Sequence, residues 1–166
     1  MSTTLIGPNL SRTPRDTSLT CAPIDNWCSK EVQTEWEGLL EQSKNLTALF
    51  QSPAWFSSLN VSSRDSEPRL LGWKTATGPL LGAVPIARGE QTLDFYVKTR
   101  MLWQSRLNAV QVLGGQPLLP EDDTTYDAVF SAIELTFPNY DCLWLPMVST
   151  DSFCWKYLNT SRHIQE

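Results

Sequence analysis

The chain has 166 residues, the length of one domain and enough to bury a continuous core. Hydrophobic residues make up 41% and charged residues 19%, which excludes the polar, highly charged compositions that keep chains disordered. A formal net charge of -5 argues against a general nucleic-acid binder, which needs clustered Lys and Arg to neutralise phosphates, and no run approaches the roughly 20 apolar residues that span a bilayer.

Residues 1–23 carry Ser, Thr, Pro and Asn without periodicity and are expected to form a flexible lead-in, with at most one edge strand near Ala22–Trp27. Met1–Arg15 holds no apolar stretch of signal-peptide length, so the default expectation is a cytoplasmic protein. Residues 24–166 read as a single domain. Ser29 is a good N-cap, and Val32, Trp36, Leu39 and Leu40 fall on one stripe, predicting a helix over Lys30–Gln42. After a polar break at Lys44–Asn45, Ser52 can cap a short helix with Pro53 at its first position, roughly Pro53–Asn60.

The middle changes period. Arg69–Thr75, Leu80–Ala87, Leu93–Trp103 and Asn108–Gly114 are β-rich runs that read as an antiparallel meander, with a hairpin turn at Thr77-Gly78-Pro79. Pro85 argues for an edge position or a bulge in the second run. In the third, Leu93, Phe95, Val97, Thr99 and Met101 share a core-like face, and Asp94, Tyr96, Lys98 and Arg100 share a wet one. The last third reads as a strand–helix–strand crossover: strand Val110–Leu113, helix Thr124–Phe137, then strand Cys142–Met147, whose apolar character suits coverage on both faces. Tyr126, Phe130, Ile133 and Phe137 form the helix's buried stripe, Asp122 and Asp123 sit at its positive end, and Pro138 stops it. Ser152 can cap a final helix through Phe153, Tyr157 and Leu158. The expected fold is α/β (α+β): a mixed, mainly antiparallel sheet of five or six strands with helices on both faces.

Three segments carry a family resemblance. Phe50-Gln51-Ser52-Pro53-Ala54-Trp55 resembles the Phe-Gln-x-Pro-x-Trp segment near the start of FemAB and CelD-like proteins of the GNAT acyltransferase superfamily. Gly78-Pro79-Leu80-Leu81-Gly82-Ala83-Val84-Pro85 is similar to the hairpin that follows there, and Asp141-Cys142-Leu143-Trp144-Leu145-Pro146 to the strand after the crossover. The resemblance covers about residues 30–160. It implies a GNAT-like N-terminal half-domain whose partner is a second GNAT-like half that this sequence lacks. It also implies acyl transfer from an acyl-CoA, such as acetyl-CoA, or an aminoacyl donor to an amine or hydroxyl acceptor, a small molecule or a saccharide. The alternative is a non-catalytic module that binds a protein or saccharide on a degenerate GNAT scaffold.

In the family, an Arg/Gln-x-x-Gly-x-Gly/Ala turn before the crossover helix holds the pyrophosphate of coenzyme A on backbone N–H groups. Here Gly114, Gly115 and Gln116 open the corresponding stretch, but Pro117 and Pro120 remove donors and Glu121, Asp122 and Asp123 repel an anion. This half is therefore expected to bind no cofactor, and the two glycines to serve as a turn. The resemblance keeps Trp55, on the second helix, as a substrate-binding candidate. Tyr96, Arg100 and Trp103, with Lys98 and Arg106 nearby, combine aromatic surface and positive charge that could hold an anionic or sugar-like group, although an ordinary exposed strand face explains them as well.

The remaining chemistry reads as structural. Glu121, Asp122, Asp123, Asp127, Glu134 and Asp141 fit a solvated face with helix capping. His163 is the single histidine and lies near the end, and no catalytic residue is assigned. Cys21, Cys28, Cys142 and Cys154 form no Cys-x-x-Cys pair, are expected to be reduced thiols, and with one histidine make no zinc site. The seven Trp are expected to fill a core and line a groove.

Overall fold

The computed structural model describes residues 18–43, 48–62, 67–76 and 78–160. Most of the lead-in, the break at Lys44–Asn45, Thr77 and His163 lie outside the described residues. Five strands form one sheet in sequential order: β1 (Leu19–Pro23), β2 (Glu67–Thr75), β3 (Leu80–Val97), β4 (Arg100–Val112) and β5 (Cys142–Trp144). The first four are antiparallel, and β5 joins β4 in parallel.

Leu70 and Leu71 are adjacent and both buried, yet they enter different clusters, because successive strand side chains point to opposite faces. On one face Leu71, Val84, Ile86, Val110 and Val112 meet Val129 and Ile133 of α3 (Asp123–Thr136), with Phe137 at its end. On the other, Leu70 and Ala83 meet Trp36 of α1 (Lys30–Gln42) and Phe56 of α2 (Pro53–Ser62). The rings of Trp27 and Trp36 stand edge-on to that of Phe56, at 4.9 and 5.5 Å. Helices thus cover both faces, as the sequence pattern predicts.

The helix starts follow their caps. Ser29 Oγ accepts the Val32 N–H at 3.3 Å, and Asp122 Oδ1 accepts the Thr125 N–H at 2.8 Å. Ser52 Oγ takes the Trp55 N–H at 3.2 Å, and Ser152 Oγ takes the Trp155 N–H at 3.1 Å, opening α4 (Phe153–Thr160). Tyr126 of α3 packs with Cys154 and Tyr157 of α4 in a third cluster.

Five expectations change. The edge strand lies at Leu19–Pro23 rather than Ala22–Trp27, since Pro23 ends it; Ile24 still donates to Leu70 O. β5 stops at Trp144 instead of Met147, because Pro146 lacks an N–H and Met147 takes φ 59°. β5 is an edge strand with half-buried side chains, not one covered on both faces. Pro85 is buried in a central strand, not at an edge.

The fifth change is the largest. The runs Leu80–Ala87 and Leu93–Trp103 are not two strands: the first continues through Gly89 to Val97, and the chain reverses at Lys98–Thr99, where Lys98 takes φ 56°. β2 leaves β3 after the pair Glu67–Arg88, and β5 reaches β4 only from Ala109. Between them, Gly89–Asn108 forms a two-stranded arm whose outer edges have no strand partner among the described residues. Nine residues a side make it roughly 30 Å long.

Candidate functional site

Pro85 decides the local chemistry at the end of β4. Leu113 N–H donates to Pro85 O at 2.9 Å, as in a hydrogen-bonded antiparallel pair, but the reciprocal donor to Leu113 O is missing because proline has no N–H. Gln51 supplies it. Gln51 is fully buried in the 3-10 turn Ala48–Gln51, and its Nε2 donates to Leu113 O at 2.7 Å and also to Gln116 O. Its Oε1 is buried with no hydrogen-bond partner among the described residues.

Between those two carbonyls the chain turns on Gly114 (φ 70°) and Gly115 (φ 80°), left-handed conformations that favour glycine. Space demands glycine too: a Cβ at 114 would lie 2.5 Å from Gln51 Cγ, and one at 115 would lie 1.8 Å from Pro146 O. The chain then returns along β3, with Ala83 N–H donating to Leu118 O at 2.8 Å and Leu118 N–H to Ala83 O at 3.1 Å. The three segments that carry the family resemblance therefore converge on this turn, through Gln51, Pro85 and Pro146. The sequence singled out the turn and the segments separately. It missed Gln51 as the joint between them, although a proline inside a strand does signal an unmatched carbonyl.

The turn borders a groove of about 960 Å³ between the end of α1 (Leu39, Gln42), Leu81, the stretch from Gln116, and the loop carrying Met147 and Asp151. A pyrophosphate does not fit the turn as it stands. The N–H groups of Leu113, Gly115, Gln116 and Leu118 donate within the chain, to Pro85, Val112, Gly114 and Ala83 carbonyls, and residues 117 and 120 are prolines. The N-terminus of α3 is capped by the Asp122 carboxylate, which also accepts from Thr125 Oγ1 at 2.6 Å. An anion arriving there meets a carboxylate where it needs a donor.

The substrate-binding candidates divide between elements. Trp55 stands on α2, 40% exposed, its ring edge-on to Phe50 at 5.1 Å. Tyr96, Arg100 and Trp103 lie on the arm, but not along the wet face of one strand. The register pairs Phe95 with Trp103, whose rings are 4.8 Å apart, then slips so that Tyr96 pairs with Met101 and Val97 with Arg100. By alternation Arg100 and Trp103 share one face of the arm and Tyr96 takes the other. At the arm's base a polar hollow of about 550 Å³ is lined by Arg88, Arg106, Glu90 and Asp141 among others. Its cations are engaged: Arg88 Nε donates to Asn108 Oδ1 at 2.9 Å, and Arg106 pairs with Glu90 at 3.4 Å.

Several acidic residues bond within the fold. Asp141 Oδ2 accepts the Asn108 N–H at 2.7 Å, tying β5 to β4, and Asp127 accepts the hydroxyl of the buried Tyr157 at 2.5 Å. That bond stabilises the neutral phenol only in part; burial first, then the Asp127 contact, pushes the Tyr157 hydroxyl well above its usual range. The four cysteines are free thiols. Burial pushes Cys21 and Cys154 each up to about 12, and raises Cys142, so none of these three supplies a thiolate near neutrality. Among the described residues no three His, Cys, Asp or Glu side chains come together as a metal site requires. Nor is any described helix long and apolar enough to cross a membrane.

No known family model, curated protein or solved structure matches the chain.

Proposed function

We propose that this chain is the first GNAT-like unit of a two-unit acyltransferase of FemAB/CelD type, working in the cytoplasm. It contributes to the acceptor side, for a small-molecule or saccharide amine or hydroxyl, and leaves the acyl donor to a second GNAT-like unit. One observation carries the reading: the three segments similar to that family meet at a single turn, Leu113–Gln116, beside the groove between α1 and the 147–152 loop. A resemblance produced by unrelated core packing has no reason to converge on one place. The sheet order, with its single parallel pair reached through α3, supports the same layout.

The inward-bonded turn supports assigning the donor elsewhere, and it equally favours a second reading, a non-catalytic protein- or saccharide-binding module on the same scaffold. Two measurements test these. Thermal unfolding of the chain should be unchanged by excess acetyl-CoA, because a ligand that binds only the folded state must raise Tm. A clear rise would refute the division of labour. Reading the coding sequence past Glu166 separates the two functions: a second unit with an intact phosphate-binding turn supports the enzyme, and a stop codon supports the module.

A further inference from the structure

The arm ends in an apex unlike the rest of the molecule. Phe95, Tyr96, Val97, Met101, Leu102 and Trp103 are each 50–66% exposed and fall within nine consecutive residues, more than in any other such stretch among the described residues. Within the apex, Phe95–Trp103, the charged residues are Lys98 and Arg100, with no carboxylate, although the whole chain carries -5. Neither cation has an ion-pair partner among the described residues, whereas the arm's carboxylates are engaged: Glu90 by Arg106 and Asp94 by Gln104 Nε2 at 2.8 Å.

We propose that this apex docks on an anionic lipid surface, an inference independent of the acyltransferase reading. The register supplies the main argument. Phe95 and Trp103 occupy one face of the hairpin, Tyr96 and Met101 the other, and Leu102 is the extra residue at the slip between them. A second copy of the chain, or any flat protein partner, covers one face and leaves the other in water. A lipid interface surrounds the apex and covers both. The charge agrees: two unpaired cations suit phosphate-bearing headgroups, and their apolar stems let the charged ends reach back to headgroup level while the rings enter the acyl boundary. The Asp94–Gln104 pair just behind the apex is polar on both strands and limits entry to the apex itself.

The test uses the full chain and vesicles of phosphatidylcholine with or without phosphatidylserine, read by co-pelleting and by quenching of Trp emission with brominated lipid. The expected result is binding and quenching with phosphatidylserine vesicles that weaken as salt rises. Reversing both charges (Lys98→Glu with Arg100→Glu) should lower partitioning about tenfold or more. Trp103→Ser should lower both signals. Leu102→Ser should as well, and it touches no ladder pair, so an unaltered circular dichroism spectrum separates lost docking from lost folding. Absence of binding to phosphatidylserine vesicles overturns the proposal, as does equal binding to neutral vesicles that survives charge reversal. A concentration-dependent dimer in sedimentation that Trp103→Ser abolishes overturns it in favour of a second copy.

Discussion

β3 and β4 run through two regions that obey the same alternation and meet different fates. In the body, from Leu80 to Arg88 and from Ala109 to Val112, alternate side chains enter two clusters because α3 closes one face and α1 with α2 close the other. Beyond Gly89 and Asn108 the ladder continues to the apex with one slip at Leu102, yet neither layer reaches it, and Phe95, Trp103 and Leu102 stay more than half exposed. Strand pairing is a local matter of backbone and register. Burial belongs to the neighbours, so the same kind of strand stabilises the fold in one place and presents apolar surface in another.

The largest expected effect lies in the body. Phe56→Ala removes a fully buried ring held by Trp27 and Trp36 and should cost about 3–5 kcal/mol in urea unfolding. A loss below about 1 kcal/mol would mean that the α1–α2 face is not the core described. Next comes the joint at the turn. Gln51→Leu strips donors from Leu113 O and Gln116 O and should cost about 1–3 kcal/mol. Pro85→Ala restores an N–H facing Leu113 O, so in that background the Gln51→Leu cost should fall; additive costs would show that the two residues do not share that carbonyl.

The body should also weaken in alkali. Cys154 holds its proton to about pH 12 when folded but releases it near 9 when unfolded, so the folded state binds more protons between those values and stability falls as pH rises through them. Tyr126 and Tyr157, raised chiefly by burial, add to the same slope at higher pH. Unfolding free energies measured from pH 8 to 11 in the parent and in Cys154→Ala should show a shallower decline in the variant. The smallest effect belongs to the arm: Phe95→Ala, on the exposed surface, should change stability by less than about 1 kcal/mol, and its amides should exchange with solvent faster than those of Val84 or Val110. Protection of the arm equal to that of the body would show that the two regions do not differ in local stability.

How legible was this from sequence? The helices were, because their signals are local: Ser29, Asp122 and Ser152 each cap within three residues, and Trp36 or Tyr126 mark the buried stripe. The arm was not. Lys98–Thr99 contains no Gly, Asn, Asp or Pro to announce a reversal, and the alternation of Leu93, Phe95 and Val97 runs on through Thr99 and Met101 as if the strand did not turn. Tyr96 and Arg100 therefore read as neighbours on one face, when cross-strand register sets them on opposite faces. Gly114 and Gly115 were legible as a turn, but what fills the space against them, Gln51 and the Pro146 carbonyl, comes from distant parts of the chain.

The sequence by itself determined the element types, the caps, the parallel crossover through α3 and the mixed, mainly antiparallel sheet with helices on both faces, because periodicity and capping act over a few residues. Only the tertiary structure decided which donor satisfies Leu113 O and which apolar residues remain in water. Both depend on partners brought together across the fold, and a one-dimensional pattern carries no record of where the covering layers end.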